Sequence, residues 1–226
     1  AATQDPRVPS DIKENRLIPA IRSARYLLTL INDILDFSQI QAQTLRLVHT
    51  SKNIIETVKE AVELVELQAQ KKGLKLNIEL PDQEWDPEIK TDHNRVMQIV
   101  ANLLSNALKF TFQGGITVRI KPETADIVEI EVEDTGIGIK KEDQHKLFKS
   151  FGKLDHGRNN TINSQGVGLG LVISNSLAKM LGPKPKVLGL NNVLGELNEE
   201  NSEDGIKFES EYGKGTRFSF KIEDQR

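Results

Sequence analysis

The 226-residue sequence contains no cysteine, which excludes disulfides and thiolate metal sites and fits a reducing compartment. Basic clusters are missing too, and the net charge is −3, which argues against a nucleic-acid surface. No apolar run approaches the ~20 residues that a membrane-crossing helix needs, and no signal peptide opens the chain. A soluble, cytoplasmic chain is expected, with any membrane anchor of a parent protein lying outside it. Aromatic residues make up only 5%, and a single Trp is present. The hydrophobic fraction, 37%, is low but falls in regular periodic segments, so a folded core is expected. The length suits one large domain or one domain with a small appendage.

Residues 1–18 hold two Pro and little periodicity, which predicts a loose leader that turns helical near its end. From about 19 to 42, Ile21, Ala24, Leu28, Ile31 and Leu35 follow an a/d spacing that lapses at Ser38, widened by Leu27, Ile34 and Phe37. This predicts a long helix with Pro19 tolerated in its first turn. So apolar a helix needs partner helices, most simply in a bundle with a second copy or with a segment outside this sequence.

A complete fold is expected from Ser51 onward. Ile54, Val58, Ala61, Val62 and Val65 predict a helix over about 53–70, ending in Lys71, Lys72 and Gly73. Leu74, Leu76, Ile78 and Leu80 alternate with polar residues, as in a half-buried strand. A polar loop over 81–88 leads to Asp92, a helix cap, and a helix to about Phe110. Two further alternating strands follow, around 116–121 and 128–132, then a short helix over 140–148 and a polar loop over 152–165. A helix over 169–181 precedes an Asn- and Glu-rich surface insertion at about 184–204. Ile206–Ser210 and Phe218–Ile222 close the sheet as a hairpin. About five strands, each with one polar face, and three main helices predict a two-layer α/β sandwich, a mixed sheet with helices on one face.

Three places in this frame carry chemistry. On the helix ending at Phe110, the face opposite the apolar stripe carries Asn102, Asn106 and Lys109. It reads either as a solvated face or as a built one, because Asn is a weak helix former. An amide oxygen can ligate Mg²⁺, and a Lys one turn on can meet a phosphate. By strand parity Glu129, Glu131 and Glu133 face water, while Asp134 falls on the core side. Asp134 is either a turn-capping residue or an acceptor for an exocyclic amine such as adenine's, with Gly136 and Gly138 letting the base approach. Gly166, Gly168, Gly170 and Leu171 open a helix after a flexible loop. They form either a hinge or a row of N–H groups turned to phosphates. No Walker-type motif is present, and no strand leads into these glycines as the dinucleotide fingerprint requires.

Taken in order, N-x-x-x-N-x-x-K, D-x-G-x-G, the pair Phe148 and Phe151, then G-x-G-x-G, the chain resembles the catalytic and ATP-binding region of sensor histidine kinases. That region belongs to the gyrase/Hsp90/histidine-kinase/MutL superfamily, and the likeness runs from about Leu27 to Ile222. The stretch LINDILDFSQ, Leu30–Gln39, is similar to the end of the second helix of the family's dimerisation hairpin, in the wording of hybrid kinases. The resemblance implies a hairpin remnant over 1–50 and a catalytic domain over 51–226. It implies that Asn106 ligates Mg²⁺, Asn102 supports metal or phosphates, Lys109 contacts phosphate and Asp134 binds the adenine amine. Gly136 and Gly138 would shape the base pocket, and Gly166, Gly168 and Gly170 would hold a lid against the triphosphate, with Leu171 beside them. Thr216 would stand beside Asp134, and Phe148 and Phe151 would anchor the lid.

Two departures stand out. Val167 occupies a position where the family has Thr or another small polar residue, and the 184–204 insertion replaces a short turn. No His-Glu-x-x-x-Pro acceptor segment occurs, and His49, His93, His145 and His156 read as surface or capping residues. Superfamily ATPases carry a Glu four residues before the metal-binding Asn as base on water; Asn102 stands there and cannot accept a proton. The expected function is therefore transfer of the ATP γ-phosphate to a His on a segment not in this chain. The expected partners are ATP, that acceptor helix, a receiver domain or response regulator, and a second copy paired through the long helix. The alternatives are a nucleotide-switched docking module without catalysis, or a superfamily ATPase.

Overall fold

A computed structural model describes residues 9–81, 84–149, 168–184 and 205–226, and the chain divides into two compact units between Leu45 and Arg46. In the first unit α1 (Ser10–Ile12) and a π-helical stretch (Lys13–Leu17) run into α2 (Ile18–Gln41), with Pro19 in its first turn. The helical path thus starts at Ser10, earlier in the leader than its expected helical end. No residue of α2 is buried, and Leu27, Leu28, Ile31, Ile34 and Leu35 are 46–59% exposed.

The second unit is built on a five-stranded sheet. Its strands are β2 (Lys75–Glu79), β4 (Gly115–Pro122), β5 (Ile127–Asp134), β7 (Gly215–Glu223) and β6 (Lys207–Glu211), in that spatial order. β2 pairs parallel with β4 and all other neighbours pair antiparallel, so the sheet is mixed. Alternation decides the faces. Ile116, Val118 and Ile120 of β4, Val128, Ile130 and Val132 of β5, and Phe218, Phe220 and Ile222 of β7 are buried on one side. Against that side lie the apolar stripes of α3 (Ile54–Lys71), α4 (His93–Phe110) and α6 (Gly170–Leu181), with α4 touching both other helices, while α5 (Lys141–Gln144) is a single short turn. The expected two-layer sandwich is the observed one.

The other face of the sheet is a lattice of charge. Arg119 bridges Glu79 and Glu133, and Arg217 continues from Glu133 to Glu209. Strand parity puts Glu131 on this face, yet only 6% of it is exposed, because Lys121 bonds its Oε1 at 2.6 Å and Arg119 lies 3.7 Å from Oε2. Long cationic side chains from the next strand cover it.

A second pair of strands was not expected. β1 (Thr50–Asn53) and β3 (Glu88–Thr91) form a small antiparallel sheet, whose second strand begins at Glu88, the last residue of the expected polar loop. His93, expected as a surface or capping residue, is instead buried, with 7% of it exposed. Its Nε2 lies 3.0 Å from the Ile89 carbonyl, to which it donates, and Nδ1 lies 2.8 Å from the Thr57 hydroxyl, joining β3, α4 and α3. Replacing His93 with Ala is expected to cost about 2–4 kcal/mol, from lost hydrogen bonds and the space left behind. Urea unfolding measures it, and a variant as stable as the wild type would contradict the role given to His93.

Candidate functional site

α4 is set in place at its start by Asp92, whose carboxylate accepts from the Arg95 N–H and from the Val48 N–H. Eighteen residues of regular helix then bury Ile99, Val100, Leu103, Leu104, Ala107 and Leu108. The half-buried Asn102, Asn106 and Lys109 stand off that stripe. Among the described residues the Asn106 side chain makes no hydrogen bond, which leaves its amide oxygen available. The Lys109 ammonium lies 5.1 Å from the Phe110 ring centre.

At the far end of α4, the Phe110 carbonyl accepts from the Ile137 N–H, tying the helix to the loop that follows β5. Asp134 ends β5 on the core side, as its parity requires, and is 8% exposed. Its Oδ1 accepts from the Gly136 N–H at 2.8 Å, with the Thr111 hydroxyl at 3.5 Å. Burial pushes its carboxyl up to about 6, against the opposing pull of N–H donors from Gly136 and Thr216 and of the Thr111 hydroxyl. Glu133 next door adds a smaller push in the same direction as burial. A side chain at position 136 would come within 2.5 Å of the Phe110 carbonyl and 2.7 Å of the Asp134 carboxylate, so glycine is required by space.

Thr216 faces Asp134 across the β5–β7 ladder, and its hydroxyl lies 2.9 Å from that of Ser210. Ser210 accepts from the Ile139 N–H, while the Ile137 carbonyl accepts from Gly213. The β6–β7 turn therefore clamps the 134–139 loop, Gly138 included, from one side while α4 holds it from the other. Ser210 escaped the sequence reading, since a small polar residue on an edge strand carries no signal of its own. Phe148 packs tilted against Phe208, their ring centres 6.0 Å apart, and Phe208 lies 6.0 Å from Phe218, so Phe148 belongs to an aromatic row that reaches the core.

α6 starts at Gly170, just after Gly168 in a left-handed conformation (φ +78°), and has no side-chain cap. Its first N–H groups, Leu171 among them, therefore point outward unpaired by the helix itself. Gly170 is pressed against α4, where a Cβ would lie 2.5 Å from the Asn102 amide oxygen. Asn102 Nδ2 donates to Ser174 Oγ at 2.9 Å. The structure thus gathers Asn102, Gly170 and Ser174 at one point, and Asp134, Gly136, Thr111 and Thr216 at another, with Asn106 and Lys109 on the helix that joins them. Phe151, Gly166, Val167, His156 and nearly all of the 184–204 insertion lie outside the described residues.

No group of three or more His, Asp or Glu able to hold a metal occurs among the described residues. A cation here would take amide and phosphate oxygens, which is the ligand set of Mg²⁺.

Among known proteins, hybrid signal transduction histidine kinase B of Dictyostelium discoideum is 36% identical over 221 residues, which is 96% of this chain. The chain spans only 10% of that relative's length. The crystal structure of full-length ShkA in complex with AMPPNP superposes with a TM-score of 0.69 at 24% identity, over 93% of this chain and 38% of that one. The histidine kinase ThkA in complex with the response regulator TrrA gives 0.58 at 21% identity, over 98% of this chain and 53% of that one. These two likenesses are of fold. Residues 91–226, which hold every side chain of the two clusters, match the family of histidine kinase-, DNA gyrase B- and HSP90-like ATPases, and the chain belongs to that family.

Proposed function

We propose that this chain is the ATP-binding catalytic part of a sensor histidine kinase, which passes the γ-phosphate of Mg·ATP to a His on a segment outside it. The observation that carries the reading is Asp134. A carboxyl that burial holds near 6, at a strand end beside a loop pinned from both sides, is costly to keep and suits an amine donor such as adenine's. Thr216 supports it from the next strand. The phosphates then run along α4 toward Lys109 and the outward N–H groups at the start of α6, where Gly168, Gly170 and Leu171 lie.

Asn106 would hold Mg²⁺ through its amide oxygen, with phosphate oxygens and water completing the shell. When bound, the ion would supply positive charge against the transferring phosphoryl group. The chain's own residues bind the base, aim the phosphate chain and leave the nucleophile to be supplied. A hydrolase needs a base on water, and the position four residues before Asn106 is Asn102, whose amide is bonded to Ser174. That favours transfer to a protein nucleophile over hydrolysis. The exposed Leu27, Leu28, Ile31, Ile34 and Leu35 of α2 are the face through which two copies would pair, as a remnant of a dimerisation hairpin. The kinase in complex with its response regulator supports a receiver as the downstream partner.

Calorimetric titration with Mg·ATP is the direct test, and saturable one-to-one binding is expected. Asn106→Ala is expected to abolish most of the Mg²⁺ dependence of ATP affinity, and Asn102→Ala much less. Equal loss of the metal dependence in both variants would show the ligand assignment to be wrong.

A further inference from the structure

Ser174 lies one turn into α6, past the last glycine of the lid sequence, and it is 1% exposed. Two residues further on, Ser176 spends its hydroxyl within the helix, donating to the Val172 carbonyl at 3.0 Å. Ser174 instead turns across to α4 and receives the Asn102 amide at 2.9 Å. The same amide fills the space that a Cβ at position 170 would take, with its oxygen 2.5 Å from that point. A residue in the middle of α4 is thereby locked to both the first and the second turn of α6. The interlock is specific in shape as well as in bonding. Glycine at 170 admits the amide, and the hydroxyl at 174 fixes which way it turns.

The consequence is geometric. The N–H groups at the start of α6, which the helix itself leaves without partners, and the amide of Asn106, one turn along α4 from Asn102, are the two features suited to a polyphosphate and its metal. Their separation is set by how α6 seats on α4, and the Asn102–Ser174 bond is a part-buried polar contact at that seat. We infer that Ser174 is a positioning residue for the phosphate half of the site, acting through Asn102, and that Asn102 serves as this latch and not as a metal ligand. The inference rests on the nucleotide-binding reading above. It gives Gly170 a task different from the one its lid sequence suggests: it receives Asn102.

Among the described residues, the base half of the site, at Asp134 and Thr216, shares no hydrogen bond with this interlock. A loosened α6 should therefore weaken the hold on phosphates and leave adenosine binding alone. The test compares Mg·ATP and adenosine affinities by calorimetry for the wild type, Ser174→Ala, Asn102→Ala and the double variant. Ser174→Ala is expected to lower the ratio of Mg·ATP to adenosine affinity by roughly five- to tenfold, the factor one buried hydrogen bond is worth. The double variant should lose no more than Asn102→Ala alone, because the two residues act through one bond. A purely structural role would instead lower the unfolding midpoint with the ratio unmoved. An unchanged ratio in Ser174→Ala, or losses that add in the double variant, would overturn the inference while wild-type binding keeps the nucleotide reading intact. A wild type that binds neither ligand overturns both.

Discussion

Replacing Asp134 with Asn is expected to weaken adenosine and ATP binding by about a hundredfold or more while making the ligand-free protein more stable. Both effects follow from one carboxyl. Its pKa is raised to about 6 from an unfolded value near 3.8, chiefly by burial. Between about pH 4 and 6 the folded state therefore holds a proton that the unfolded chain has released, so stability falls as pH rises through that window. At neutral pH the ionised group has lost its full share, on the order of 2–3 kcal/mol. Asparagine keeps an acceptor oxygen for the Gly136 N–H and carries no charge to desolvate, so the variant avoids this loss.

Binding goes the other way. An amine donor meets a carboxylate in the wild type; in the variant it meets either a weaker neutral acceptor or another donor. Wild-type adenosine affinity should fall as pH drops through about 6, since the protonated carboxyl is a weaker acceptor than the carboxylate, whereas the variant should be flat. Adenosine is the better probe here because it has no phosphate to titrate in the same window. Unfolding midpoints and calorimetry between pH 5 and 8 check both halves. A variant that is less stable than wild type at pH 7, or that binds adenosine equally well, would remove Asp134 from the role of base reader.

What the sequence made legible and what it hid divide along physical lines. The helix bearing Asn102 and Asn106 declared itself through eighteen residues of unbroken 3.6-residue period. The inward turn of Asp134 followed from strand parity alone, because a two-residue period leaves no choice of face. β1 and β3 are four residues each, too short for a period to show, and β1 has no apolar residue at all. His93 looked like surface because its burial comes from Thr57 and Ile89, partners outside its own helix. Glu131 was hidden the same way, by cations from β4. The task of Gly170 was the least legible of all. Its partner Asn102 lies on another helix, and only the packed pair shows that the glycine makes room for an amide. Local pattern reports elements and faces, whereas a residue's task inside a site depends on what the fold sets against it.

The chain by itself is expected to bind ATP yet leave the γ-phosphate in place. Phosphoryl transfer depends on a nucleophile held in line with the phosphorus, and such placement is worth effective molarities of roughly 10⁵–10⁸ M. No His lies on α2, and no acceptor motif occurs in the sequence. Of the four His, His93 has both ring nitrogens committed to Thr57 and Ile89, which removes it as a nucleophile. His49 and His145 are exposed residues with no partner among the described residues to aim them, and His156 falls outside those residues. Incubation with γ-labelled ATP should therefore leave the protein unlabelled. Adding a chain that carries a His-bearing helix preceding the α2 segment should produce label that is lost in acid and retained in base, as a phosphoramidate is. The label should appear on the added chain, and it should vanish with Asn106→Ala, which would remove the proposed metal ligand. Near-stoichiometric acid-labile phosphate on the present chain alone would contradict the expectation, and His49→Gln and His156→Gln would then locate the acceptor.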